Sequence, residues 1–346
     1  MKKLFLLLLS DIKGRIFLSF FLIITFLLLL FFSLGTHNVL EKDPLIQSYE
    51  PEKDRKFGDA PPHIEVGLFV RSMPQFDIDN GQFSLIGSIW FYYYPSQTSI
   101  SDIKNFKIDR GEIIQKSEPR SKKIKDRILT VFDINVNFSS ELNYLYFPFS
   151  DHKLYLVLKF PQSTAQEMLL TSGKSNIIVD KDLLPKGWTL TDVDVNVGFY
   201  SEQLDENEKN KFLSNPQMYF TLNFSKPGFR KILVIIIPAL ILFFLAVLSL
   251  IIKVPENNTI PLNLSLAAIS GMLVHRFVIE NISPKVGYFT TADSLYVAFI
   301  SCAFISFLIN LVHDNNVIYW RFRFISSYVM QVFIIIYFYF LVLRGL

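Results

Sequence analysis

The chain has 346 residues, of which 51% are hydrophobic, 15% aromatic and 19% charged, against about 25% charged in an ordinary soluble domain. Residues 36–228 hold 22 Lys/Arg and 26 Asp/Glu, whereas the other 153 residues hold 12 and 5, so a polar segment is set between apolar ones. This split excludes a single soluble fold, the wealth of Phe, Ile and Leu excludes intrinsic disorder, and a net charge of +3 gives no reason to expect a nucleic-acid partner.

Five apolar stretches approach the roughly 20 residues that cross a bilayer as a helix: 16–34, 232–252, 262–279, 295–312 and 325–343. The first follows Lys2, Lys3, Lys13 and Arg15, which place its start on the cytoplasmic side. Its length and the poor cleavage match at Ser33-Leu34-Gly35 favour a retained anchor over a removed signal peptide, and either one exports residues 36–228. The other four spans then alternate, putting Arg321 and Arg323 on the inner side.

Within the exported segment, 63–71, 83–94, 128–138, 153–160, 193–200 and 218–224 are short runs of Val, Ile, Tyr and Phe bounded by Pro, Gly, Asn and Asp. They predict an antiparallel β-sandwich, with the charged stretch 116–127 and the acidic stretch 201–216 as exposed loops. Asp77-Ile78-Asp79-Asn80-Gly81 predicts a hairpin turn, with a cation loop as the lesser alternative because no closing acidic residue follows.

Chemistry-bearing motifs are scarce. No phosphate-binding loop, nucleophile elbow, dinucleotide fingerprint or zinc helix is present, and the five histidines are scattered without ligand spacing. Neither enzymatic activity, a cofactor nor a metal is expected. The single cysteine, Cys302, lies in an apolar run and has no second cysteine to pair with.

Three other segments carry a recognisable order: Tyr146-Phe147-Pro148-Phe149-Ser150-Asp151-His152-Lys153-Leu154, then Lys226-Pro227-Gly228-Phe229 running into an apolar helix with Pro238, then Ile282 to Asp293 with Pro284, Tyr288 and Thr290. Together they resemble the pentameric ligand-gated ion channels, the Cys-loop receptor superfamily, in its prokaryotic type. The first matches the family's FPFD-x-Q loop, the second its junction before the first channel helix, and the third its L-P-x-x-x-Y-x-T-x-x-D linker. The resemblance covers about residues 60–345. Departures are the missing loop cysteines, Ser150 for Asp, His152 for Gln, Lys226 for Arg, and a span ahead of the β-domain that the family lacks.

The resemblance implies a signal-like or anchoring segment at 1–35, an extracellular or periplasmic sandwich at 36–228 and a four-helix channel domain at 229–346, in the plasma (inner) membrane. It implies a homopentamer in contact with membrane lipid, a small-molecule ligand and permeant ions. Asp79, Phe147, Pro148, Phe149, Asp151, Lys226, Pro284 and Tyr288 would couple ligand to pore, with the Phe-Pro-Phe wedge lying against 284–288. The second channel helix would line the pore with Asn263, Ala267, Ser270, Val274, Phe277 and Glu280. Leu262, Leu266, Ile269 and Leu273 form an apolar stripe at helical spacing that would pack on neighbouring helices. Arg276 and Glu280, four apart, can pair along one face, and Glu256 is the one acidic candidate at the inner mouth. Trp90, Tyr92, Tyr200 and Tyr219 are the aromatics available to a cationic ligand. Two other readings stand beside the channel: a non-conducting receptor or scaffold with the same fold, and a membrane-tethered hydrolase, for which no nucleophile–base set is visible.

Overall fold

A computed structural model describes residues 12–33, 41–48, 61–149, 151–164, 167–180, 182, 184–203, 212–225, 229–252, 259–312 and 317–343. They fall into two compact units. One comprises 41–142 and 151–226 and is built of β-strands. The other comprises 1–40, 143–150 and 227–346 and is built of helices, so the loop 143–150 clusters with the helices although strands flank it in the chain.

The β unit contains two open sheets. The first orders β1 (Gln47–Ser48), β12 (Thr189–Gln203), β13 (Phe212–Ser225), β9 (His152–Lys159) and β5 (Lys107–Ile108). The second orders β10 (Leu169–Thr171), β2 (His63–Ser72), β4 (Gln82–Tyr93), β8 (Arg127–Ser139) and β6 (Gly111–Lys116). On this second sheet β11 (Ile177–Val179) also pairs β2, β3 (Phe76–Asp77) pairs β4 and β7 (Arg120–Ile124) pairs β8. A short helix, α2 (Ile100–Lys104), precedes β5. Aromatic rings join the two buried faces: Phe91, Phe106, Phe132 and Phe160 form one cluster, and Phe76 meets both Phe83 of β4 and Phe224 of β13.

The turn at Asp77 forms as its sequence predicts. The Asn80 amide and side chain both donate to the Asp77 carboxylate, at 3.1 and 2.8 Å, which holds this carboxyl below its ordinary pKa. Gly81 takes a positive φ of 63°, and a Cβ there would lie 2.7 Å from the Ser140 carbonyl.

Three expectations are corrected. The charged stretch 116–127 is no loop but a hairpin, because ladder bonds are made by backbone and tolerate a strand such as β7 whose every side chain is exposed. Lys125 takes φ 54° at its turn. The stretch 201–216 is likewise narrower: β12 and β13 stay paired out to Gln203 and Phe212, and Asp205, Glu206 and Glu208 lie outside the described residues. The sheets are also not wholly antiparallel, since β10 and β11 both run parallel to β2.

The helical unit contains α1 (Ile12–Ser33), α3 (Phe229–Ile251), α4 (Thr259–Ile282), α5 (Thr291–Leu311) and α6 (Val317–Leu343). All five are long and apolar enough to cross a membrane, which marks a membrane protein.

One lysine of the β unit sits against its natural charge state. The Lys116 ammonium lies 3.6 Å from the Phe106 ring centre and 4.9 Å from that of Phe132, and it donates to the Lys104 carbonyl. Burial, aided by the charge of Lys104, pulls its pKa from 10.5 to about 8. The charged form is thus disfavoured on folding: the penalty is complete below about pH 8 and gone above 10.5. Lys116→Met is therefore expected to raise the melting temperature of the purified protein at pH 7, by more than it does at pH 10. An equal gain at both pH values would contradict the assignment.

Candidate functional site

The loop 143–150 is wound by its own backbone. Leu145 N–H bonds the Asn143 side chain, and the amides of Phe147 and Phe149 donate to the carbonyls of Tyr144 and Tyr146 at 2.9 and 2.7 Å. The Phe147–Pro148 peptide is cis. This winding leaves the Leu145 and Phe147 carbonyls free to meet the start of α5. There the amides of Thr291 and Ala292 donate to them at 2.8 and 3.0 Å, and the Thr291 hydroxyl also bonds Leu145 O at 3.0 Å. From the α4–α5 linker, the Tyr288 hydroxyl accepts from Tyr144 N–H at 2.9 Å.

The aromatic side chains of the loop are buried. The Lys231 ammonium of α3 lies 5.0 Å from the Phe147 ring centre, and Phe149 packs on Phe338 of α6 at 6.2 Å. The loop is therefore held chiefly one step past the expected 284–288 stretch. Within that stretch Tyr288 supplies the hydrogen bond, while Pro284 is buried. Asp79 lies exposed at the β3–β4 turn and Asp151 half-buried ahead of β9, both within the β unit. Lys226 and Ser150 lie outside the described residues, as does Glu256.

Thr290 and Asp293 complete the cap. Thr290 Oγ1 accepts from Asp293 N–H, while Asp293 Oδ2 accepts from Thr290 N–H and Oγ1–H at 3.1 and 2.8 Å, the reciprocal arrangement of a capping box. The other Asp293 oxygen takes Arg276 Nη1 at 2.5 Å, and Arg276 also lies 5.5 Å from the Tyr296 ring centre. The expected Arg276–Glu280 pair thus gives way to a bond between α4 and α5. Asp293 is the better partner because it is fixed by its cap and only 13% exposed, whereas Glu280 is exposed.

α4 presents three faces. Pro261, Ser265, Ala268, Met272, His275 and Ile279 are buried against the chain's own helices. Gly271 permits part of that contact, since a Cβ there would lie 2.6 Å from Leu242 of α3. His275 Nε2 donates to the Ile235 carbonyl at 2.8 Å, in the turn ahead of Pro238. Asn263, Ala267, Ser270, Val274, Phe277 and Glu280 are all exposed in the single chain. Of the apolar stripe, Leu266 and Leu273 are also exposed, at 49% and 54%, and Leu262 and Ile269 half-buried. The face that packs within the chain is thus neither the expected pore face nor the leucine stripe, and its Ser265 and Ala268 let helices approach closely.

Sequence reasoning missed a buried polar cluster. Arg323, 1% exposed, donates to the Ser249 carbonyl at 2.8 Å and to Asn310 Oδ1 at 2.6 Å. Asn310 Nδ2 in turn donates to Ser249 Oγ at 2.8 Å and to the Pro261 carbonyl at 3.3 Å. Four helices, α3 to α6, are joined by these bonds. The intramembrane position of Asn310 was the available signal.

The four candidate ligand aromatics do not converge within one chain. Trp90 and Tyr92 lie on β4, Tyr200 and Tyr219 on β12 and β13 of the other sheet. The Trp90 indole covers Gly67, where a Cβ would come within 2.1 Å of it. Two of the rings carry cations of the chain itself: Arg127 lies 5.1 Å from the Tyr92 ring centre and Lys159 lies 4.5 Å from that of Tyr200. Tyr219 is buried, accepts from Asn196 at 2.9 Å and meets Tyr155 edge-on. Burial, with the charge of Asp43 second, raises its pKa. Among the described residues no group of three or more His, Cys, Asp or Glu comes together to hold a metal. A scan against protein-family models returns no match, and a search of curated proteins returns none.

Asp293 serves both the pair and the cap, whereas Arg276 serves the pair and lies over the Tyr296 ring without bonding the cap. Asp293→Ala is therefore expected to destabilise the protein more than Arg276→Gln, by about 1 kcal/mol, the usual value of a cap. Melting of the two purified variants in one detergent checks this, and equal losses would contradict the dual role.

Proposed function

We propose that the chain is a subunit of a pentameric ligand-gated ion channel of the Cys-loop receptor type. In this reading the two open sheets form an exported β-sandwich, and α3 to α6 form a four-helix channel bundle in the plasma (inner) membrane. The observation that carries it is the loop 143–150. Its chain neighbours on both sides are strands, yet its carbonyls accept the first amides of α5, so in this reading a displacement of the strands would reach the start of α5. Phe147, Pro148, Phe149, Tyr288 and Pro284 then act in coupling, with Asp79, Asp151 and Lys226 as further candidates at the ends of their own segments.

The exposed face of α4 supports the pore assignment. Asn263 and Ser270 on a membrane-spanning helix are costly against lipid and well placed beside water. A head-to-tail ring of five copies would turn this face inward and close without leaving an unpaired edge. The ligand would sit at the aromatic positions Trp90, Tyr92, Tyr200 and Tyr219, contributed by adjoining subunits. A cationic ligand there must displace Arg127 and Lys159 from the rings they occupy.

A non-conducting receptor of the same fold is favoured by one observation: Val274 and Phe277, 67% and 68% exposed, put bulky apolar groups on the proposed pore face. Ion flux into liposomes containing the purified protein separates the two. In a Cys302→Ser background, cysteines at Asn263, Ala267, Ser270 and Val274 are expected to react with a charged thiol reagent and to reduce flux several-fold, while those at Ala268 and Met272 stay unreactive. Reaction on both faces alike would reject the pore face, and absence of flux from assembled protein under all ligand and pH conditions tried would favour the receptor.

A further inference from the structure

The first span does more than its apolar composition requires. α1 exposes Phe17, Phe20, Phe21, Phe31 and Phe32, but closes one face: Ser19 is fully buried, Phe26 is 2% exposed and Leu30 5%. Spacings of seven and four put these three on one side of a helix. Facing them on α6 are Phe324, Tyr328, Gln331 and Phe338, at offsets of four, three and seven, which also share one side.

The two faces meet through side-chain chemistry and not only through shape. Gln331 Nε2 donates to Ser19 Oγ at 2.8 Å, and both residues are buried. The Tyr328 hydroxyl donates to the Arg15 carbonyl at 3.0 Å, and the Arg15 guanidinium lies 4.2 Å from the Phe324 ring centre. The Phe26 ring packs on Phe338 at 4.9 Å and on Phe299 of α5 at 6.1 Å. An export signal needs flanking positive charge and an apolar core; it does not need a polar residue matched to one in a later span. Ser and Gln within spans find partners across helix interfaces because hydrocarbon offers none.

We propose that α1 is retained in the mature protein as a fifth membrane helix, docked on α6 of the same chain by the Ser19–Gln331 bond and the Phe26 contacts. Cleavage near Ser33-Leu34-Gly35 would strip this seam and turn the Gln331 amide and the Tyr328 hydroxyl toward lipid. α1 thus acts as a built-in partner of α6, whether or not the protein conducts ions.

The test uses the full chain expressed in a membrane and purified. Its intact mass and N-terminal sequence are expected to include residues 12–33. A mature protein starting after Ser33 would overturn the proposal outright. In a Cys302→Ser background, Ser19→Cys with Gln331→Cys is expected to be joined within one chain by a short bifunctional thiol reagent. Phe21→Cys with Gln331→Cys should be joined at least tenfold less, since Phe21 faces away. Equal joining of both pairs, or products of twice the chain mass, would overturn docking within one chain. Should the double-cysteine proteins fail to accumulate, the mass and terminus of the unsubstituted chain decide retention alone.

Discussion

A helix that begins in a buried place must find acceptors for its first amides, and α5 takes two of them from a loop more than 140 residues earlier in the chain. Thr291 and Ala292 donate to Leu145 and Phe147, Asp293 donates to the Thr290 hydroxyl, and Ser294 closes the first intrahelical bond to the Thr290 carbonyl. Every amide of the first turn is thus satisfied, and Thr290, Thr291 and Ala292 are all nearly inaccessible to water. The positive end of the helix dipole strengthens each contact with a carbonyl or carboxylate. Much of the helical unit depends on this cap: it fixes the loop 143–150 among the helices, orients the Asp293 carboxylate toward Arg276 of α4, and brings Phe149 onto α6.

Inside an apolar bundle, dispersion alone specifies rotation and register weakly, because one greasy face packs much like another. Here polar groups supply the specification. The Arg323–Asn310–Ser249 cluster reaches the Pro261 carbonyl in the first turn of α4, and His275 binds Ile235 nearer its other end. Two anchors so placed fix which side of α4 turns inward. Its outward side is then set as well, and it carries Asn263, Ala267 and Ser270.

The parts legible in the sequence were those with a strong local cause. Continuous apolar runs announced all five spans, and Asp77 to Gly81 announced a turn because Asn and Gly tolerate its backbone angles. Within 90–94 the alternation of a strand buries Phe91 and Tyr93 and leaves Trp90 and Tyr92 half-buried. What escaped depended on partners distant in the chain. β7 has no alternation to betray it, since neither face is buried, and the parallel pairing of β10 and β11 with β2 spans about a hundred residues. Arg276 had a sequence neighbour in Glu280 but a better partner seventeen residues away. Covering of Tyr92 and Tyr200 by Arg127 and Lys159 likewise follows from strand register, which short motifs do not encode.

Hydrogen exchange at the start of α5, measured on the full chain in a lipid environment, tests the central interaction most directly. The amides of Thr291 and Ala292 have no acceptor within their own helix, so their protection depends on Leu145 and Phe147. Exchange as slow as at mid-helix amides of α5 is the predicted result, together with protection at Phe147 and Phe149. Exchange of Thr291 and Ala292 as fast as in an exposed loop, with the rest of α5 still protected, would contradict the account.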